Sequence, residues 1–279
     1  MTASAEHKRS DLMKIRKGML WFAVIGTFVI GIRHLLPGEA ASGGSFDTFC
    51  PFGAIESMWS YVKNGQTLKT TSLLNFAFLS GVLAVSLVAG RAFCGWMCPV
   101  GAVQEGLVKL ARRMGGEKRH IRGMQVKARF PTQLPRWADR PLRYAKYLIL
   151  ACVILASTFA IYPPLQQFCP ARAVFSFKLT SGLMWSVLAV FIVISLLVER
   201  VWCKYLCPLG ALLAIFNKIS PVRLVSSDHC NNCGRCDIEC SMDIEDVPAS
   251  LKDAECIRCL ECLETCAREG SLTIQLKVK

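Results

Sequence analysis

Fifteen cysteines stand in this 279-residue chain, and all but Cys50, Cys152 and Cys169 fall into groups with metal-ligand spacing. Cys230, Cys233, Cys236 and Cys240 follow C-x2-C-x2-C-x3-C, and Cys256, Cys259, Cys262 and Cys266 repeat it. This is the spacing of bacterial two-cluster ferredoxins, in which the fourth cysteine of each run ligates the other cluster. Three thiolates on short loops wrap three corners of a cubane, and a distant fourth closes it. The reading assigns one [4Fe-4S] cluster to Cys230, Cys233, Cys236 and Cys266, and a second to Cys256, Cys259, Cys262 and Cys240. Ser241 and Ala267 replace the proline that usually follows the fourth cysteine, which bears on local backbone more than on ligation. A zinc module is the alternative, and eight cysteines in this spacing weigh against it.

A second pattern is a Cys-Pro phrase used four times: Cys50-Pro51-Phe52-Gly53-Ala54, Cys98-Pro99-Val100-Gly101-Ala102, Cys169-Pro170-Ala171-Arg172-Ala173 and Cys207-Pro208-Leu209-Gly210-Ala211. Proline is favoured at the first position of a helix, where its missing N–H costs nothing. The cysteine before it then sits at the cap, where the helix dipole and free N–H groups favour thiolate, the form that ligates metal. Two phrases have another cysteine four residues upstream, Cys94 and Cys203, on the same face of a helical segment. Symmetry would bring Cys94, Cys98, Cys203 and Cys207 together around one site. A third Fe–S cluster is the reading preferred for it, with a structural zinc and separate thiols as the alternatives. Cys50 and Cys169 are only half of a four-cysteine set. A disulfide, a metal site completed by other ligands and a redox-active dithiol are all open to them, and Arg172 lies near enough to stabilise thiolate.

The elements that must position these groups are apolar. The chain is 53% hydrophobic, with a mean hydropathy of +0.38. Four runs, Gly18–Leu36, Thr70–Gly90, Tyr147–Leu165 and Ser181–Val198, can each cross ~30 Å of hydrocarbon as a helix. A signal peptide is the alternative for the first, but no A-x-A cleavage site follows it. The segment from Leu107 to Lys146 holds 12 Lys or Arg against Glu117 and Asp139, whereas Pro37–Lys69 and Pro163–Thr180 hold two basic residues each. The positive-inside rule therefore puts both termini and the central loop in the cytoplasm, and Cys50 and Cys169 on the outer side. Topology accounts for the net charge of +13, so nucleic-acid binding is not expected.

The expected architecture is an all-α membrane protein with four transmembrane helices in two parallel-repeated hairpins, followed by a small bacterial-type two-cluster ferredoxin domain. Its divisions are a cytoplasmic segment 1–17, a membrane domain 18–221 (halves 18–115 and 144–221) and a cytoplasmic ferredoxin domain 222–279. The short stretches Val100–Leu110 and Leu209–Phe216 read as helices at the cytoplasmic surface. From Asp228 the tail carries 11 acidic and 6 basic residues, so it is expected to dock on the basic central loop. Cys152 reads as a small apolar residue in a helix interface. Only His34 among four histidines is near a span, so this chain offers no bis-histidine haem. His34, with Arg33 beside it, reads as an interfacial residue or as a proton acceptor for quinol.

Phe93-Cys94-Gly95-Trp96-Met97-Cys98-Pro99, Trp202-Cys203-Lys204-Tyr205-Leu206-Cys207-Pro208-Leu209-Gly210-Ala211 and the cysteine-rich tail resemble the NapH/NosR-type membrane polyferredoxins. That family includes the quinol dehydrogenase subunit of periplasmic nitrate reductase systems and the membrane module of the nitrous oxide reductase activator. The resemblance runs from the first span to Cys266. It implies four core spans in a bacterial inner membrane, cytoplasmic cubane clusters, and electron exchange between the quinone pool, a cytoplasmic donor or acceptor and an outer-face redox protein or flavoprotein. The Cys50 and Cys169 phrases are closer to the NosR-like and reductive-dehalogenase-associated branches. Those often carry an outer flavin domain, for which this chain is expected to have no room. Rival readings are a copper-reducing oxidase-assembly factor and a redox-sensing regulatory membrane protein.

Overall fold

The computed structural model describes residues 2–33, 54–55, 58, 61–62, 73–115, 134–158, 169–175, 182–244, 246–247, 253–266 and 270–276. Cys50 and His34 lie outside them. Helix α1 spans Thr2–Arg33, α2 Leu73–Ala89, α3 Ala92–Trp96, α4 Pro99–Gly115, α5 Arg136–Thr158, α6 Pro170–Phe175, α7 Gly182–Leu197 and α8 Pro208–Ile219, with a π-helical turn over Trp202–Leu206. Two short helices, α9 (Arg235–Ile238) and α10 (Glu261–Thr265), lie within the ferredoxin-type cysteine runs. Strands β1 (Val222–Ser226) and β2 (Leu272–Leu276) pair antiparallel, Val222 opposite Leu276, and tie the two ends of that region together.

Helix α1 runs without interruption through residue 17, from the expected cytoplasmic segment into the first apolar run. Its Ser10–Arg33 portion, of mean hydropathy 1.6, is the one described helix both long and apolar enough to cross a membrane. Helices α2 and α7 are apolar but have 17 and 16 residues, about 25 Å at the helical rise. The far end of the third apolar run lies outside the described residues. Large apolar side chains stand exposed along all four helices, among them Trp21, Phe22, Leu73, Leu148 and Trp185.

Positions 109 apart carry matching structure. Helix α2 begins at Leu73 and α7 at Gly182; α4 begins at Pro99 and α8 at Pro208. Packing is exchanged between these pairs, for α4 packs on α7 and α8 packs on α2. The sequence of α4 explains its side of this. Val100, Gln104, Val108 and Ala111 recur at helical spacing and are buried, while Lys109, Arg112 and Arg113 point away. Helix α8 ends at Ser220 because Pro221 cannot extend it.

One core joins the helices to the ferredoxin-type region. Val82, Phe93, Cys94 and Leu213 pack with Cys236, Met242, Ile244, Val247 and Ile257. In a second cluster Met13 of α1 packs with Leu224, Leu260, Leu263 and Leu272. The first half of α1 is therefore fixed against the cysteine-rich region.

Candidate metal centre

The inner Cys-Pro phrases cap their helices as the sequence implies. Cys207 Sγ accepts the N–H of Gly210 at 3.3 Å, and the backbone N–H groups of Val100 and Gly101 point to Cys98. The turns are equivalent: Cys98 N donates to Phe93 O at 3.0 Å and Cys207 N to Trp202 O at 2.9 Å. Ala102 N and Ala211 N close the next bonds, onto Cys98 O and Cys207 O.

Cys94, Cys98, Cys203 and Cys207 are electrostatic neighbours there. Burial pushes the Cys98 and Cys207 thiols up, and repulsion from Cys203 and Cys94 adds to it. Cys203 is raised by burial and by Cys94, against the pull of Arg200 and Arg91. A buried set of mutually repelling thiolates needs positive charge among them, which metal ions supply.

Two arginines surround the set, one from each half. Arg91 and Arg200, again 109 positions apart, are both fully buried. Arg91 Nη2 donates to Cys203 O at 3.2 Å, and Arg200 Nη1 donates to Cys94 O at 3.1 Å, so each arginine holds the other half's cysteine turn. The glycine of each phrase makes the room. A Cβ on Gly210 would lie 3.1 Å from Arg91 Nη2, and one on Gly101 3.2 Å from Arg200 Nη1 and 3.0 Å from Cys94 O. The Cys169 phrase carries Arg172 at the same place.

Each arginine belongs to a buried ion network that includes a cation from another helix. Arg91 Nη1 meets Glu255 at 2.7 Å, and Lys146 of α5 binds the other oxygen of that carboxylate. Arg200 Nη2 meets Glu105 at 3.0 Å, where Arg16 of α1 also bonds, at 2.7 Å. Arg16 is fully buried too, and it further reaches Gly95 O at 3.0 Å and Glu261 at 3.1 Å. Burial alone would raise the Glu105 carboxyl, but Arg200, Arg16 and Lys109 outweigh it and bring it down from 4.5 to about 2. A folded pKa below the unfolded one contributes stability above pH 4.5, lost as pH falls through about 2. The Glu105→Gln variant is therefore expected to unfold more easily than wild type at pH 7 by about 3–5 kcal/mol, since buried Arg200 loses its counter-charge and Arg16 keeps only Glu261. Denaturant titrations should find that difference closing as pH is lowered from 4.5 toward 2.

The ferredoxin-type region sits directly on this site. A Cβ on Gly95 would lie 2.6 Å from Ile257 O and 3.5 Å from Cys259 Cα, so the inner turn and the second cysteine run touch through backbone. Trp96 Nε1 donates to Arg258 O at 2.9 Å, Arg258 Nη1 to Ser220 Oγ at 2.7 Å, and Asn217 Nδ2 to Cys256 O at 2.9 Å. The expected charge docking is present beside these: Arg143 Nη2 donates to Met242 O at 3.0 Å, and Arg112 lies 3.7 Å from Glu239.

Within that region Cys262 is pushed up by burial and by Cys256, Cys240 and Cys236, and Cys259 feels Cys240, so cysteines of both runs are neighbours there. Of the other set, Cys236 is pushed up to about 12 by burial and Asp237, with Cys233 adding to it. Cys266 packs, as Cys256 and Cys262 do, against the core of Met13, Leu224, Leu260, Leu263 and Leu272. Among the described residues no three His, Cys, Asp or Glu form a group for a single metal ion; a cubane differs in taking one thiolate per iron.

The remaining candidates fall elsewhere. Cys169 precedes α6, which packs on α1, α4 and α7. Its Phe175 shares a cluster with Val100 and Phe191, against which Cys98 and Trp202 also pack. A phrase expected across the bilayer from Cys98 is thus carried on a helix that touches the Cys98 segment. Cys152 is exposed and Val153 takes the buried position, a correction to the interface expected for it. Arg33 ends α1 and is exposed, with His34 outside the described residues. Sequence reasoning missed Arg91, Arg200, Glu105 and Glu255. The signal available was the repeat, which aligns the two arginines three residues before the first cysteine of each pair.

Comparisons with known proteins bear on the same segments. The family model described as a 4Fe-4S binding domain matches twice, over residues 71–116 and 180–225, each match containing one inner cysteine pair. The Escherichia coli (strain K12) protein YccM is 28% identical over 257 residues, 85% of this chain and 65% of its own length. The uncharacterized protein MJ0750 of Methanocaldococcus jannaschii is 30% identical over 223 residues, 79% of this chain and 84% of its own. The regulatory protein NosR of Pseudomonas aeruginosa is 31% identical over 201 residues, 69% of this chain but 26% of NosR. Also similar are the ferredoxin-type protein NapH of Haemophilus influenzae, the methylamine utilization ferredoxin-type protein MauN and the protein NirI. No solved structure matches.

Proposed function

The chain belongs to the NapH/NosR-type polyferredoxins, iron–sulfur proteins of electron transfer, and from that premise we propose that it carries electrons between cytoplasmic [4Fe-4S] clusters, a third cluster at Cys94, Cys98, Cys203 and Cys207, and the quinone pool or an outer-face partner. The observation that carries this reading is the backbone contact of Gly95 with Ile257 and Cys259, which leaves nothing between the inner cysteine turn and the second ferredoxin run. The cubanes, when bound, hold and release single electrons. The protein's part is to fix their spacing and exclude water, and one continuous core does both.

Placement in a bacterial inner membrane, with several spans and both termini cytoplasmic, is supported by the exposed apolar faces of α1, α2, α5 and α7. Contact of Met13 and Arg16 with the ferredoxin-type region supports placing the start of α1 on the same side as that region. Cys50 and Cys169, as a metal site or redox dithiol, are the proposed step beyond the inner cluster, supported by the packing of α6 on α4. Quinone, Arg33 and His34 belong to the outer end of this route.

The test uses the full chain in liposomes with ferricyanide trapped inside and dithionite outside, with quinone present in the bilayer or omitted. Trapped ferricyanide should be reduced in vesicles holding wild type and quinone, and not in those holding the Cys203→Ser variant. Equal rates with wild type and with the Cys203→Ser variant would overturn the reading.

A further inference from the structure

Among the described residues three buried side-chain nitrogen or oxygen atoms have no hydrogen-bond partner: Arg91 Nε, Arg200 Nε and Ser241 Oγ. The first two are equivalent positions of the two halves. Every other nitrogen of these guanidinium groups is used. Arg91 gives Nη1 to Glu255 and Nη2 to Cys203 O, and Arg200 gives Nη1 to Cys94 O and Nη2 to Glu105. Leaving a buried N–H unmade costs about 1–3 kcal/mol, more for a charged group. That two such losses fall at symmetric places beside four thiols calls for an acceptor that both can reach.

The charges make the same demand. Glu255 is the one carboxylate bonded to both Arg91 and Lys146, which leaves one positive charge in excess on that side. The electrostatic partners of Arg91 include Cys94 and Cys203, and those of Arg200 include Cys203 and Cys259. A cluster held by four thiolates is an anion with sulfur acceptors on every face, so the residues present fit it. Ordinary thiols or a disulfide would satisfy neither the N–H groups nor the charge.

We propose that Arg91 Nε and Arg200 Nε donate a symmetric pair of N–H···S hydrogen bonds to the inner cluster and set its reduction potential. The proposal rests on the reading that Cys94, Cys98, Cys203 and Cys207 hold a cluster. Reduction adds one negative charge, and hydrogen bonds to sulfur and nearby cations stabilise the reduced form, which raises the potential. A cluster held by Cys94, Cys98, Cys203 and Cys207 would on this basis have a higher potential than the same cluster without the two N–H groups. Arg200 has both Cys203 and Cys259 as electrostatic partners. The two arginines are positioning residues, since they act through the cluster's sulfurs and through the carbonyls of its ligands.

The experiment combines two measurements on the full chain. Iron and sulfide are counted first. About 12 irons per chain supports three clusters, and about 8 overturns the reading beneath this proposal. Pulsed EPR is then recorded on reduced wild type carrying 15N at arginine Nε. Couplings from arginine nitrogen to the inner cluster are expected, and their absence overturns the proposal whatever the variants do. Arg91→Lys and Arg200→Lys keep the charge but lose the planar fork. Each is expected to weaken reduction of the inner cluster about tenfold, a fall of about 59 mV for one electron, with the ferredoxin midpoints unchanged. An unmoved inner midpoint in both variants, with iron retained, also overturns it.

Discussion

Cys94→Ser and Cys203→Ser are each expected to lower the iron content from about 12 to about 8 per chain while leaving the signals of two ferredoxin clusters in place. The size of the effect follows from geometry. Both cysteines are buried in the set of four mutually repelling thiols, within a shell that holds Arg91 and Arg200. Removing one ligand leaves three thiols, too few to complete a four-cysteine cluster, while Arg91 and Arg200 keep Glu255 and Glu105. The ferredoxin cysteines have their own backbone support, including the β1–β2 pair that ties the region's ends. Loss should therefore stop at the inner site. A variant with about 12 irons would assign the third cluster elsewhere. A drop below about 8 would mean that the ferredoxin region depends on the inner cluster to fold.

The second large effect is expected from a single methyl group. Gly95→Ala puts a Cβ 2.6 Å from Ile257 O, and the obstacle is backbone that cannot rotate away. Overpacking of this kind costs about 1–3 kcal/mol. The available relief is to lift the second cysteine run from the inner turn, which also strains the Trp96 to Arg258 bond and the Arg16 bond to Gly95 O. All clusters should be retained, with about 12 irons still counted. Electron exchange between the ferredoxin clusters and the inner site should slow markedly in stopped-flow reduction, because the gap has widened. Gly106→Ala is the control: that helical glycine has open space around it, so stability should rise by about 1 kcal/mol from helix propensity while the rate does not move. Unchanged transfer in Gly95→Ala would show that the contact is not on the electron's route.

What the sequence made legible was chemistry carried by spacing. The ferredoxin runs, the capping logic of Cys98 and Cys207 and the gathering of four inner thiols all depend on positions a few residues apart or on one repeat interval. The buried charges were hidden for the opposite reason. Arg16 and Lys146 counted among the basic residues that orient a membrane protein, and that rule records a side, not a partner. Their carboxylates lie 89 and 109 positions away, at Glu105 and Glu255. Arg91 and Arg200 stand just past the ends of apolar runs, where nothing local in the sequence says that each holds a turn of the opposite half. Cys169 was placed by loop charge on the outer side, whereas the packing of α6 is decided by Phe175, Val100 and Phe191, a contact that hydropathy alone does not encode.

The central claim is that the inner four cysteines hold a cluster in direct electronic contact with the ferredoxin pair. Quantitative EPR of the fully reduced, anaerobically purified chain tests it most directly. The account predicts about three spins per chain with broadening from coupling between neighbouring clusters, collapsing to the simpler two-cluster spectrum in Cys203→Ser. A wild-type spectrum of two clusters that Cys203→Ser leaves unchanged would contradict it.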